Sequence, residues 1–157
     1  MTTVVVGTLH TGISVSDLDR SIAFYRDDLG LELLARWEST QTYLRTVVGF
    51  PDAELRIALL RVPAAPGAGP GHHIELLEYR VPRGQRGDAR TCNPGNAHVA
   101  FAVDDLDRVH AELSAKGVRF KSAPVAITHG RNTGAKAVYL LDPDDVTLEL
   151  VQPAPRP

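Results

Sequence analysis

Residues 8–15 alternate in polarity, with Thr11, Ile13 and Val15 on one side and His10, Gly12 and Ser14 on the other. A period of two with one apolar side predicts a strand with one buried face. Ser16 reads as the N-cap of a helix starting at Asp17, whose early acids suit the positive end of the helix dipole. Leu18, Ile22, Tyr25 and Leu29 form an apolar stripe at helical spacing, and Gly30 stops it. Leu31 to Glu38 predicts a second strand. Residues 40–50 are ambiguous, with a short helix ending at Gly49-Phe50-Pro51 as one reading. Glu54 to Val62 predicts a third strand. Pro63 to Gly71, rich in Pro and Gly, reads as a flexible hairpin loop, and His72 to Arg80 as a fourth strand.

The pattern then restarts. Residues 81–95, rich in Pro, Gly and Arg, read as a linker. A strand is predicted over 97–103, then a helix from Asp105 to Lys116 with Leu106, Val109 and Leu113 inward and Gly117 as its stop. Val118 to Lys121 predicts a short strand, Ser122 to Thr133 a loop, and 136–151 a hairpin turning at Asp142-Pro143-Asp144-Asp145. Each half is therefore β-α-β-β-β. The expected organisation is α+β, with a first module over 1–80, a linker over 81–95 and a second module over 96–157, together one compact domain.

The repeat duplicates more than folding requires. His10-Thr-Gly-Ile-Ser-Val-Ser-Asp-Leu-Asp-Arg20 returns as His98-Val-Ala-Phe-Ala-Val-Asp-Asp-Leu-Asp-Arg108. Each copy closes with an apolar strand bearing one acid, Glu75 in Ile74-Glu75-Leu76 and Glu149 in Leu148-Glu149-Leu150. Unpaired polar groups in a sheet cost free energy, so packing alone gives no reason to duplicate a histidine and a carboxylate. Strand parity sets His10 with Gly12 and Ser14, and His98 with Ala100 and Ala102, while the bulky residues point away. Small neighbours on one sheet face leave room for a ligand. Two imidazoles and two carboxylates suit a divalent metal, although ligand type does not choose among nickel, cobalt, zinc, manganese and iron. The plain alternative is a solvated polar sheet face.

Composition narrows the setting. The 157 residues are 43% hydrophobic and 23% charged with a net charge of −2, which gives no electrostatic case for nucleic acid or an anionic membrane. No apolar run approaches the roughly 20 residues of a membrane span, and the first residues lack a basic stretch of the signal-peptide kind. Cys92 is the only cysteine, so an intramolecular disulfide is impossible. A cytoplasmic protein is expected.

The motifs resemble the vicinal-oxygen-chelate superfamily, which includes glyoxalase I, methylmalonyl-CoA epimerase, extradiol dioxygenases, and fosfomycin and bleomycin resistance proteins. The resemblance runs from about residue 8 to 152. It rests on His10 with Ser16-Asp-Leu-Asp-Arg-Ser-Ile-Ala-Phe-Tyr25, Leu29-Gly30-Leu31, Ile74-Glu75-Leu76, Ala97-His98-Val99, Leu141-Asp-Pro-Asp144 and Leu148-Glu149-Leu150. It implies tandem βαβββ modules forming a curved mixed sheet around a metal held by His10, Glu75, His98 and Glu149. It further implies a homodimer and a small-molecule substrate with adjacent oxygens. Four ligands in an octahedral site leave two positions for those oxygens.

Several positions depart from the family pattern. Glu75 is followed by Leu76-Leu77-Glu78-Tyr79 rather than the run with which glyoxalase I helps hold glutathione. Ile57 or Ala58 stands where methylmalonyl-CoA epimerase carries a catalytic glutamate. With that acid missing, a ligand carboxylate is the expected base, and the resemblance to glyoxalase I puts Glu149 first and Glu75 second. The leading expectation is a lyase or isomerase of the glyoxalase–epimerase kind that moves a proton beside a metal-bound carbonyl. The rivals are an iron(II) dioxygenase, for which His10, His98 and Glu149 would suffice, and a metal-free protein sequestering a drug or natural product.

Weaker candidates surround this set. Arg131, in His129-Gly-Arg-Asn-Thr-Gly134, is a candidate clamp for an anionic substrate. Trp37, Tyr43 and Tyr79 are candidates to line the substrate pocket, with core packing the expected role for at least two of them. His73 shares parity with Glu75. His72, His73 and His110 are expected to be solvated.

Overall fold

The computed structural model describes residues 4–64 and 71–155, so the predicted Pro/Gly hairpin loop falls largely outside the described residues. Two compact units emerge, Met1–Gln85 and Arg86–Pro157. In the first, β1 (His10–Ser14) leads into α1 (Leu18–Ala23), which continues as a π-helical turn over Phe24–Asp28. Then follow β2 (Glu32–Ser39), α2 (Thr42–Val48), β3 (Glu54–Arg61) and β4 (His73–Val81). The strands form a four-stranded mixed sheet in the order β1-β4-β3-β2, with β1 and β4 parallel. The ambiguous stretch 40–50 is thus helical, and it ends at Gly49 in the left-handed region (φ 77°).

The second unit repeats the plan. It runs through β5 (Val99–Ala102), α3 (Leu106–Ala115), β6 (Arg119–Phe120), β7 (Val125–Ala126), β8 (Lys136–Leu141) and β9 (Thr147–Gln152). Its sheet order is β5-β9-β8-β6, with β7 also paired to β8. β7 lies in the stretch predicted as loop; two residues are too few for alternation to announce a strand. The α+β class and the mixed sheets agree with the sequence reading.

α1 and α3 are each capped by an aspartate, and in α1 it is the residue after the predicted cap. Asp17, not Ser16, accepts from the Arg20 backbone N–H at 3.1 Å, just as Asp105 accepts from that of Arg108 at 3.0 Å. Either residue type suits an N-cap. What decides between them is where the strand ends: Val15 still pairs through its N–H to Leu77 O, at 2.9 Å. Ser16 instead accepts from the Arg20 guanidinium.

A second duplicated device joins helix to sheet. The Leu18 N–H donates to the Glu78 carboxylate at 3.2 Å, and the Leu106 N–H donates to Gln152 Oε1 at 2.9 Å. Glu78 and Gln152 each stand three residues beyond the acids of interest, Glu75 and Glu149. In a strand an odd offset reverses the face. The last strand of each unit therefore ties down a helix from one face and presents a carboxylate on the other. Glu78 is buried, and Arg56 balances it at 2.8 Å while also reaching Asp19, whose carboxyl the Arg56 guanidinium holds below its usual range. Under the helices Leu18, Ile74, Leu76, Leu106 and Leu148 are fully buried, each worth about 1.5–3 kcal/mol relative to exposure.

Candidate functional site

In the first unit β1 lies parallel to β4, with Gly12 opposite Glu75 and His10 opposite His73. Parallel register partners project to the same side, so His10 and Glu75 share the face that α1 leaves open. His10 Nε2 is 3.4 Å from Glu75 Oε2, and the side chains are 38% and 22% exposed. Gly12 and Ser14 beside them are small and leave the pair accessible.

The second unit builds the same pair from other residues. Ala100 stands opposite Glu149, and His98 Nε2 is 3.2 Å from Glu149 Oε2, with exposures of 39% and 21%. Near-equal spacing and near-equal exposure show that the duplication kept the geometry of each pair, not merely its residue types.

The spacing bears on a metal. Two donors bonded at about 2.1 Å and set at octahedral or tetrahedral angles lie roughly 3.0–3.4 Å apart, so each pair fits as adjacent ligands of one ion. The His98–Glu149 spacing is also that of a hydrogen bond, whereas His10 and Glu75 stand at ion-pair distance. Among the described residues no group of three or more His, Cys, Asp or Glu is placed to hold a metal. Each unit by itself offers two donors.

The other predicted residues part company. Tyr79 lies four residues, or about 13 Å, along β4 from Glu75, packed against the α2 cluster of Leu44, Ala53, Leu55 and Ile57, with its ring edge-on to Phe50. Trp37 is 36% and Tyr43 66% exposed, so only one of the three aromatics packs in the core, against the expectation of at least two. Trp37 sits on β2, the edge strand, opposite Ile57. Arg131 lies exposed in a turn. Ile57 and Ala58, the two positions matched to the epimerase glutamate, are both buried.

Histidines outside the pairs are less solvated than expected. His72 is hydrogen-bonded to Thr11 at 2.8 Å, His73 is half-buried beside His10, and His110 packs at a tilt against Phe120 with ring centroids 4.4 Å apart. Helix or strand parity reports a residue's own element, not the neighbour that covers it, and here the neighbours decide.

Two residues near the second pair escape the sequence reading. Tyr139 stands opposite Glu149 on β8, its ring 5.1 Å from that of His98. Lys121 lies over the Tyr139 ring at 5.6 Å and donates to Thr147 Oγ1 at 3.0 Å. Strand pairing offers a signal for Tyr139. Lys121 depends on where β6 joins β8, which no local pattern reveals.

The chain is 33% identical over 150 residues to a 2-epi-5-epi-valiolone epimerase from Actinomyces sp, covering 93% of this chain and 79% of that protein. It is 28% identical over 144 residues to a probable lactoylglutathione lyase from Synechocystis sp., covering 92% and 93%. A glyoxalase family protein from Bacillus cereus has the same fold, with a TM-score of 0.77 at 21% identity over 98% of this chain and 97% of that one. The profile of the Glyoxalase/Bleomycin resistance protein/Dioxygenase superfamily matches residues 7–150. The chain belongs to that superfamily.

Proposed function

We propose that the protein is a metal-dependent lyase or isomerase that moves a proton next to a carbonyl of a small substrate with adjacent oxygens. The observation that carries this reading is the pair of matched histidine–carboxylate half-sites, at 3.4 and 3.2 Å, on the open sheet faces. Relatives that are a lyase and an epimerase support the reaction class. His10 with Glu75, and His98 with Glu149, would supply the ligands of a divalent ion, drawn from nickel, cobalt, zinc, manganese or iron. Such an ion supplies Lewis acidity that polarises a carbonyl and acidifies the neighbouring C–H.

The chain's own residues do the rest. Glu149 takes the proton from carbon and the C–H electron pair passes into the carbonyl; Glu149 then returns the proton to the adjacent carbon, or, in an epimerisation, water protonates the opposite face and Glu149 gives its proton up to solvent. Glu149 is preferred over Glu75 because Tyr139 stands opposite it, whereas Leu59 stands opposite Glu75. A cytoplasmic location fits this chemistry; among the described residues no helix is long and apolar enough to cross a membrane.

Solvent-deuterium exchange tests the reaction class. Metal-loaded protein should catalyse exchange into 2-oxo or polyhydroxy-ketone compounds faster than buffer does. Oxygen consumption with a catechol and no exchange would overturn the proposal in favour of the iron(II) dioxygenase. Saturable binding of a compound without either would favour a sequestering protein.

The homodimer rests on open edges. β1 and β2 end one sheet, β5 and β6 the other, and exposed edges are commonly covered by association. Sedimentation equilibrium at micromolar concentration should return twice the chain mass, and the single-chain mass would remove the dimer.

A further inference from the structure

We propose that Lys121 is the specificity-determining residue of the second unit: its ammonium binds an anionic group of the substrate, with Tyr139 as its platform and Thr147 fixing its direction. The ammonium lies over one side of the Tyr139 ring, 5.6 Å from the centroid, and the His98 ring lies 5.1 Å from the same centroid. The imidazole of the His98–Glu149 pair and a positive charge therefore share one aromatic ring as neighbour. A cation over a tyrosine face is held by the ring quadrupole, which orders the flexible lysine stem before any ligand arrives. The Thr147 hydroxyl accepts one of its three N–H donors at 3.0 Å, leaving the others for an oxyanion.

Most neighbouring cations are paired; Lys121 is one that is not, and unlike Arg131, which lies exposed in a turn, it is seated on an aromatic ring beside the His98–Glu149 pair. Arg86, Arg90, Arg108, Arg119 and Lys136 in the same unit each meet a carboxylate. Lys121 does not: among the described residues its partners are a hydroxyl and a ring. A positive charge left without a counter-ion beside a reacting pair is suited to supply one to a ligand.

Comparison of the two units shows that folding does not demand it. Tyr139 stands opposite Glu149 where Leu59 stands opposite Glu75. Lys121 donates its backbone N–H to Tyr139 O at 2.9 Å, the place that Ala35 holds beside Leu59. Thr147 and His73 occupy the corresponding positions two residues before the acids. One copy of a duplicated module builds this sheet with leucine and alanine; the other departs to tyrosine and lysine next to its histidine–carboxylate pair. The difference would give the substrate one orientation: adjacent oxygens toward His98 and Glu149, and a carboxylate or phosphate toward Lys121.

This inference rests on the proposed role of His98 and Glu149 as the reacting end, so its test runs on metal-stripped, full-length protein. Inorganic phosphate and glycolate are titrated separately while amide and lysine-ammonium resonances are followed by NMR. Saturable shifts at Lys121, Tyr139 and Thr147 are expected with at least one anion, and the stronger of the two identifies the phosphate or carboxylate source. Lys121→Gln should weaken that affinity about tenfold or more, the scale of one charge-assisted hydrogen bond, while Lys121→Arg keeps it. Unchanged binding in Lys121→Gln, shifts confined to the Arg131 turn, or no saturable shift in the wild type would each overturn the proposal. Manganese binding by calorimetry is the separate readout. Lys121→Gln should match the wild type there, and a wild type that takes up no manganese defeats the metal reading while leaving the anion titration standing.

Discussion

His98→Ala should remove stoichiometric metal from the protein while leaving its fold in place. The imidazole is 39% exposed and its recorded partners are the Glu149 carboxylate and the Tyr139 ring, so truncation opens no core cavity. The stability change should stay within about 1 kcal/mol, as for surface positions away from buried networks. Affinity, by contrast, should fall beyond the roughly 10–100-fold that follows loss of a group merely supporting a ligand. His10→Ala should behave the same way, because its pair has closely similar spacing and exposure. Metal analysis of protein purified without chelator or a metal-affinity tag, paired with urea denaturation, reads both quantities. Full occupancy in either variant would remove that histidine from the ligand set. Loss with His98→Ala alone would place the ion on the second unit.

The larger effect is expected on turnover. Glu149→Gln keeps the side-chain volume and a coordinating oxygen but cannot take up a proton at neutral pH. If Glu149 is the base, this variant should retain metal and lose activity by roughly 10²–10⁴-fold, the usual contribution of a positioned general base. Glu75→Gln should cost less, since Leu59 rather than a polar residue stands opposite it. Deuterium exchange into the same substrate separates chemistry from later steps: the Glu149→Gln protein should exchange as slowly as it turns over. Exchange at the wild-type rate would rule out Glu149 as base and pass the role to Glu75. Loss of metal in this variant would show that the carboxylate charge is needed for the ion itself.

Local pattern carried the architecture far because the fold is written twice. Alternation in residues 8–15 and 97–103, helical stripes ending at Gly30 and Gly117, and the turn at Asp142–Asp145 are short-range signals, and the strand and helix signals recur in register with their copies. Asp145 does adopt the left-handed conformation (φ 69°) that a glycine would find easier. The four proposed ligands were legible for the same reason. Parity puts His10 with Gly12 and His98 with Ala100, and the repeat shows which acids to set beside them.

What stayed hidden depends on partners distant along the chain. The choice of Asp17 over Ser16 as cap follows from a hydrogen bond between Val15 and β4. The packing of His110 against Phe120, the burial of Glu78 under α1 with Arg56 and the seating of Lys121 on Tyr139 all join separate elements. Hydrophobic periodicity is a property of one segment, so by itself the sequence determined the modules, their faces and the candidate ligands. The surroundings of each ligand were decided only when strands paired, because register across a sheet selects which side chains become neighbours.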